Sequence, residues 1–161
     1  MAEEKIKKEK KEVKGNVEKA IAKEAKKKII TISGKRKTAI AKATIKDGTG
    51  IIKINKKPID TFSFFRRLSL IEPLRIAENV LKEKAKTYNI DVVVIGGGSE
   101  SQVEAARLAI ARALVAFTQS AELRASYLNY DRSLLVADVR RKEQRKPGDS
   151  KARAKRQKSY R

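Results

Sequence analysis

The stretch Ile90-Asp91-Val92-Val93-Val94-Ile95-Gly96-Gly97-Gly98-Ser99-Glu100-Ser101-Gln102 decides the fold. Its first half, with three valines in a row, has the pattern of a strand that is covered on both faces or central in its sheet. The glycine run ends that strand. Ser99, with Gln102 three residues on, has the form of a capping box. The helix it opens puts Val103, Ala106, Ile110, Ala113, Leu114 and Phe117 on one face. Alanines at 105, 106, 109, 111, 113 and 116 leave it little bulk, so it can lie close against a sheet. Strand, glycine turn and apolar-faced helix in succession read as an α/β unit. The Gly96-Gly97-Gly98-Ser99 run is read first as a tight turn. A phosphate contact at the helix amino end is the second reading. A nucleotide loop is disfavoured, since the Gly-Lys-Ser/Thr ending is missing.

Towards the amino terminus, Ile29 to Ser33 and Thr38 to Lys46 read as strands. The second alternates Ala39, Ala41, Ala43 and Ile45 with Lys42, Thr44 and Lys46, one face dry and one wet. Asp47-Gly48-Thr49-Gly50 supplies hairpin residues before a third strand, Ile51 to Asn55, so an antiparallel meander is expected. Phe62, Phe64 and Phe65 are assigned to the core, with Arg66 and Arg67 outside; an aromatic and basic RNA surface is the alternative. Pro73 suits the first turn of a helix that continues through Leu74, Ala77 and Leu81 to about Thr87. A shorter helix is expected over Ser120 to Leu128.

The 161 residues leave room for one domain with tails. Forty Lys and Arg against nineteen Asp and Glu give a formal charge of +21, which points to a polyanionic partner. There is no Cys and no His, which removes disulfides, thiolate and imidazole metal ligands and the usual general base near neutral pH. No cofactor and no catalytic set can be assembled, so an enzyme is not expected. The amino terminus alternates Lys and Glu without an apolar run, so neither a secretory signal nor a membrane anchor is expected there.

Charge divides the chain into three regions. Residues 1–28 carry 11 basic and 6 acidic side chains, residues 29–139 carry 18 and 11, and residues 140–161 carry 11 and 2. The first region reads as a Lys/Glu-rich extension, the second as the globular domain and the third as an extended basic tail. Apart from Ala152, Ala154 and Tyr160, the tail holds no apolar or aromatic side chain. So little burial cannot offset roughly 1–2 kcal/mol of backbone ordering per residue. Its cations are spread, as suits threading between phosphates: Arg140, Arg141, Lys142, Arg145, Lys146, Lys151, Arg153, Lys155, Arg156, Lys158 and Arg161. Lys35-Arg36-Lys37, at a probable strand edge, is a second basic cluster.

Several blocks, in order, resemble a known family. They are Gly34-Lys35-Arg36-Lys37-Thr38-Ala39, Gly50 through Pro58, Glu72-Pro73-Leu74, Gly96 through Ser99, and Ala109-Ile110-Ala111-Arg112-Ala113-Leu114. Arg140-Arg141-Lys142-Glu143, Lys146-Pro147-Gly148 and Lys151-Ala152-Arg153 follow. On these the chain resembles the universal small-subunit ribosomal protein nine family from about Ile29 to Arg161. Tyr130 through Asp138 and the ending Gln157-Lys158-Ser159-Tyr160-Arg161 are similar to its archaeal and eukaryotic branch. Residues 1–28 have no counterpart in the family core, and Glu100 stands where many members carry Gly.

The resemblance implies a two-layer α/β (α+β) domain, a mixed sheet with helices on one face, resting in the head of the small subunit on the 3′ major domain of its rRNA. It implies a cytoplasmic ribosomal location, rRNA, neighbouring small-subunit proteins and P-site tRNA as partners, and no membrane. Carried over by position, rRNA threading falls to the tail cations from Arg140 to Arg156; the resemblance also favours RNA contact at Lys35, Arg36 and Lys37, and Arg66 and Arg67 join the rRNA-binding set on their own basic character beside the phenylalanines. Lys158, Tyr160 and Arg161 would approach the anticodon stem-loop of the P-site tRNA.

Overall fold

The structure is a computed structural model that describes residues 29–82, 87–148 and 151–153. Strands β1 (Ile29–Arg36) and β2 (Ala39–Asp47) form a hairpin, in register from Ile29 opposite Lys46 to Arg36 opposite Ala39. Strands β3 (Ile52–Ile54) and β4 (Lys57–Pro58) form a second, small one. Its two-residue turn puts Asn55 (φ 49°) and Lys56 (φ 67°) in the left-handed region, as hairpins with the strands' natural twist require. Helix α1 (Phe64–Leu81) leads to β5 (Tyr88–Ile95), α2 (Ser99–Thr118) and α3 (Ala121–Tyr130).

The sheet order is β1-β2-β5-β3-β4, antiparallel except between β3 and β5. This mixed sheet, with helices on one face, is the layering that the resemblance implies. The three-strand meander is not formed, because β5 lies between β2 and β3. Asn89 of β5 explains part of this: its Oδ1 accepts from the backbone N–H of Thr49 and of Ile51, both at 2.9 Å, and so ties the glycine loop to β5. Parallel pairing of β3 with β5 then needs a crossover, which α1 provides. β5 is central, as its valines suggest, but it is covered on one face only. Ile90, Val92 and Val94 are buried while Val93 and Ile95 are exposed.

The alternation in β2 holds throughout: Ala39, Ala41, Ala43 and Ile45 are fully buried under the helices. α2 approaches closely, as its alanines allow. At Gly34 of β1 a Cβ would collide with the Ala105 carbonyl oxygen and lie 2.7 Å from the Ala109 nitrogen, so only glycine fits. Burial of Ile110 and Leu114 on this face stabilises the layer by roughly 1.5–3 kcal/mol per side chain. The glycine turn before α2 is needed for its backbone, with Gly96 at φ 74° and Gly97 at φ 70°.

Three local expectations are corrected. α1 starts at Phe64, so Pro73 is inside the helix, and the helix ends at Leu81 where Lys82 turns to φ 53°. The missing Pro73 N–H is tolerated in a helix held by tertiary contacts, among them the buried Tyr127 hydroxyl, which donates to the Pro73 carbonyl at 2.6 Å. The N-cap of α2 is Gly98, without a side-chain cap; Ser99 is already helical, and Gln102 Nε2 donates to the Gly96 carbonyl instead. Only Phe62 of the phenylalanine cluster packs on the core, whereas Phe64 and Phe65 are 68% and 80% exposed. By contrast, Ser120 does cap α3, accepting from the Leu123 N–H at 3.3 Å.

Candidate nucleic-acid interface

Strand alternation sorts the Lys35-Arg36-Lys37 cluster. Lys35 is exposed on the helix-free face and Lys37 on the turn to β2, neither with an ion pair among the described residues. Arg36 points the other way, towards α2. Its Nε donates to Glu104 Oε2 at 2.5 Å, and its Nη1 pairs with the Asp138 carboxylate. Arg36 therefore ties three segments together: β1, α2 and the chain that leads into the tail.

Asp138 is the hub of that junction. It also accepts from the Arg140 N–H at 2.8 Å and from Arg140 Nε at 2.7 Å. Arg140 first, and then Arg36, hold its carboxyl well below the usual carboxylate range. The tail therefore leaves the domain from a fixed point. Beyond it, residues 141–148 and 151–153 form no helix or strand. Arg141, Lys142, Arg145, Lys146 and Lys151 have no ion-pair partner among the described residues, while Arg153 pairs with Glu143. Lys155, Arg156, Lys158, Tyr160 and Arg161 lie outside the described residues, as do residues 1–28.

The domain arginines are placed differently. Arg66 Nε donates to Glu100 at 2.8 Å and its Nη2 to Ser99 at 3.2 Å, and Arg67 pairs with Asp60 at 2.8 Å. Arg107 of α2 joins Glu72 of α1 at 2.7 Å and Asp131 at 3.1 Å. Arg66 and Arg67 thus differ from the tail's unpaired cations in having carboxylate partners.

Sequence reasoning also leaves cations out. On the helix-free face Lys42 is exposed one strand from Lys35, Lys53 is exposed across β2 and β5 in register with Asp91, and Lys46 stands 3.8 Å from Asp91, the one carboxylate among these strands' side chains on that face. The register sets Lys35 opposite Ile40 and Lys42 opposite Val93, so aliphatic side chains interleave with ammonium groups. The signal is present in the β2 alternation, which puts Lys42 and Lys46 on the wet side. An array of unpaired ammonium groups beside a run of guanidinium groups can engage several phosphates at once. No group of acidic residues that could hold a metal occurs among the described residues, and no described helix is long and apolar enough to cross a membrane.

Residues 34–161, from the last residues of β1 through the rest of the domain and the tail, match the family described as ribosomal protein S9/S16. The small ribosomal subunit protein uS9 of Methanococcus maripaludis strain C5 is 46% identical over 137 residues, covering 83% of this chain and 99% of that protein. Its counterpart from Methanococcus vannielii is 45% identical over the same length, with the same coverage of both chains. A family match through domain and tail, and near-complete coverage of relatives this similar, show that the chain belongs to the ribosomal protein S9/S16 family.

Proposed function

We propose that this ribosomal protein is a structural constituent of the small subunit of the cytoplasmic ribosome, holding the head rRNA of the 3′ major domain between its tail and the lysine face of its sheet. One observation carries the reading: Arg141, Lys142, Arg145, Lys146 and Lys151 have no ion pair among the described residues, and they follow a junction that Arg36, Glu104 and Asp138 fix to the domain. A coil so charged gains its order from the phosphates it passes. In this division of labour Lys35, Lys37, Lys42, Lys53 and the tail from Arg141 meet RNA, and Arg36 positions the tail's root.

The tip, Lys158, Tyr160 and Arg161, is assigned to the anticodon stem-loop phosphates of P-site tRNA. Support comes from the family resemblance of the ending and from the length of tail beyond the junction, roughly 70 Å when extended. Two measurements test the reading. The chain should remain with small subunits through a high-salt wash; release together with bulk nucleic acid would make it a nonspecific packaging protein. Subunits lacking residues 158–161 should assemble normally yet bind P-site tRNA more weakly in a filter assay, and unchanged affinity would remove the tip's role.

A further inference from the structure

Helix α1 turns an apolar stripe away from the core. Phe64 and Phe65 are 68% and 80% exposed, and Leu68, four and three residues on, is 43% exposed on the same side. The two rings meet edge to face with centroids 5.6 Å apart. Leu68 continues into an open groove of about 440 Å³ that runs along Ile71, Glu72 and Ile76 to Tyr130 of α3, itself 61% exposed. Two exposed phenylalanines beside a groove are more than the scattered apolar residues of an ordinary surface.

The charges around this stripe favour a protein over a phosphate backbone as its cover. Arg66 and Arg67 are taken up by Glu100 and Asp60, and Glu72 at the groove is held by Arg107. Glu78 is exposed on the same helix. Most guanidinium groups along α1 are thus matched by carboxylates, Arg75 at the groove being without an ion pair among the described residues, whereas on the helix-free sheet face lysines outnumber carboxylates. Bases stacked on Phe64 and Phe65 would find the guanidinium groups of Arg66 and Arg67 already engaged by carboxylates. A protein surface needs no such free cation, and aromatic anchors inside a rim of paired charges are what a protein interface uses.

From this we infer that the α1 face, centred on Phe64, Phe65 and Leu68, is the seat of a neighbouring protein of the small subunit, one that presents an aliphatic or aromatic patch with few net charges. The inference rests on the ribosomal placement above and adds which side of the molecule faces protein and which faces RNA.

The test uses the full chain assembled into small subunits, with a photo-crosslinking benzoylphenylalanine placed at residue 65 and, separately, at residue 142. Sedimentation of both with the subunit checks the ribosomal placement by itself. Irradiation should give at 65 an adduct that protease removes and nuclease does not, and at 142 the reverse. A nuclease-sensitive adduct at 65, or none in the intact subunit, overturns the inference while leaving the placement standing. As an independent readout, Phe64→Ser with Phe65→Ser should leave the melting temperature unchanged, because both rings are exposed. It should lower retention of the crosslinked neighbour roughly tenfold or more in salt-washed subunits; full retention also overturns the inference.

Discussion

Four arginines of the folded domain and a run of cations in the tail have opposite electrostatic fates. Arg36, Arg66, Arg67 and Arg107 are each held by carboxylates of the domain or its margin, at β1, at the start of α1 and within α2. Past Asp138 the sequence offers two carboxylates to eleven cations, and Arg141, Lys142, Arg145 and Lys146 stand without partners among the described residues. A guanidinium that already has a carboxylate contributes to the fold, and its field is neutralised nearby. One without a partner is available to a phosphate. Pairing, more than residue type, thus separates the two roles: Arg75, Arg124 and Arg132 of the domain have no ion pair among the described residues, while Arg140 and Arg153 of the tail have one.

Removing residues 140–161 should give the largest effect. The loss of eleven cations should flatten the salt dependence of binding to an rRNA fragment by several units of log–log slope, and affinity at moderate salt should fall by ~10³-fold or more. Filter binding across a salt series measures both. The melting curve of the domain should barely move, since its core lies wholly within residues 39–134. A slope that stays steep would place the RNA contacts on the sheet face instead.

Arg107→Met makes the converse break. Glu72 and Asp131 lose their shared partner at a site where the three side chains are only 19–36% exposed. Unfolding free energy should drop by about 1–3 kcal/mol, less than for a fully buried pair because water reaches the carboxylates. Denaturant titration measures this, and RNA affinity measured on the still-folded protein should stay within about twofold. A large loss of RNA binding without loss of stability would move Arg107 to the tail's class.

A single tail cation should sharpen the contrast. Arg145→Gln is expected to leave stability within about 0.5 kcal/mol and to reduce the salt slope by about one. No change in slope would mean that Arg145 faces solvent in the complex.

How much of this is written locally depends on the distance over which the residues act. The dry face of β2, the alanine face of α2 and the bare charge of the tail are short-period patterns, and each is legible within a few consecutive residues. The place of β5 is not, because Asp47-Gly48-Thr49-Gly50 suits a hairpin and a longer excursion alike, and Asn89, which decides, lies some forty residues away. Pro73 misleads for a related reason: its local signal is a helix start, and only the contact with Tyr127, 54 residues on, shows it inside a packed helix. Within the candidate site the tail cations are legible by composition. The inward turn of Arg36 is not, since Glu104 is 68 residues away, and the period of β2 marks Lys42 and Lys46 as a wet face without marking them as a binding face.

The smallest expected effect concerns acid, and it probes the seam between the two regions. Asp131 is held below its ordinary range by hydrogen bonds from Ser133 first and by Arg107 as well. A carboxylate whose folded value is depressed contributes stability that is fully present above its unfolded value, near 4, and is lost as pH falls towards the folded one. Lowering the pH from 7 to 5 should therefore change nothing at this site, and the contribution should fade only from about pH 4 downward. Because Asp131 is about one-third exposed, screening limits the effect to a few tenths of a kcal/mol. Asp138, held further below the ordinary range by Arg140 and Arg36, should release the tail's root only in stronger acid. NMR of the Ser133 and Arg140 amides, whose N–H groups donate to these two carboxylates, would follow both events. Movement of the Arg140 amide while the core amides stay fixed would show that the root can open without unfolding the domain; simultaneous loss of both would make the seam part of the fold itself.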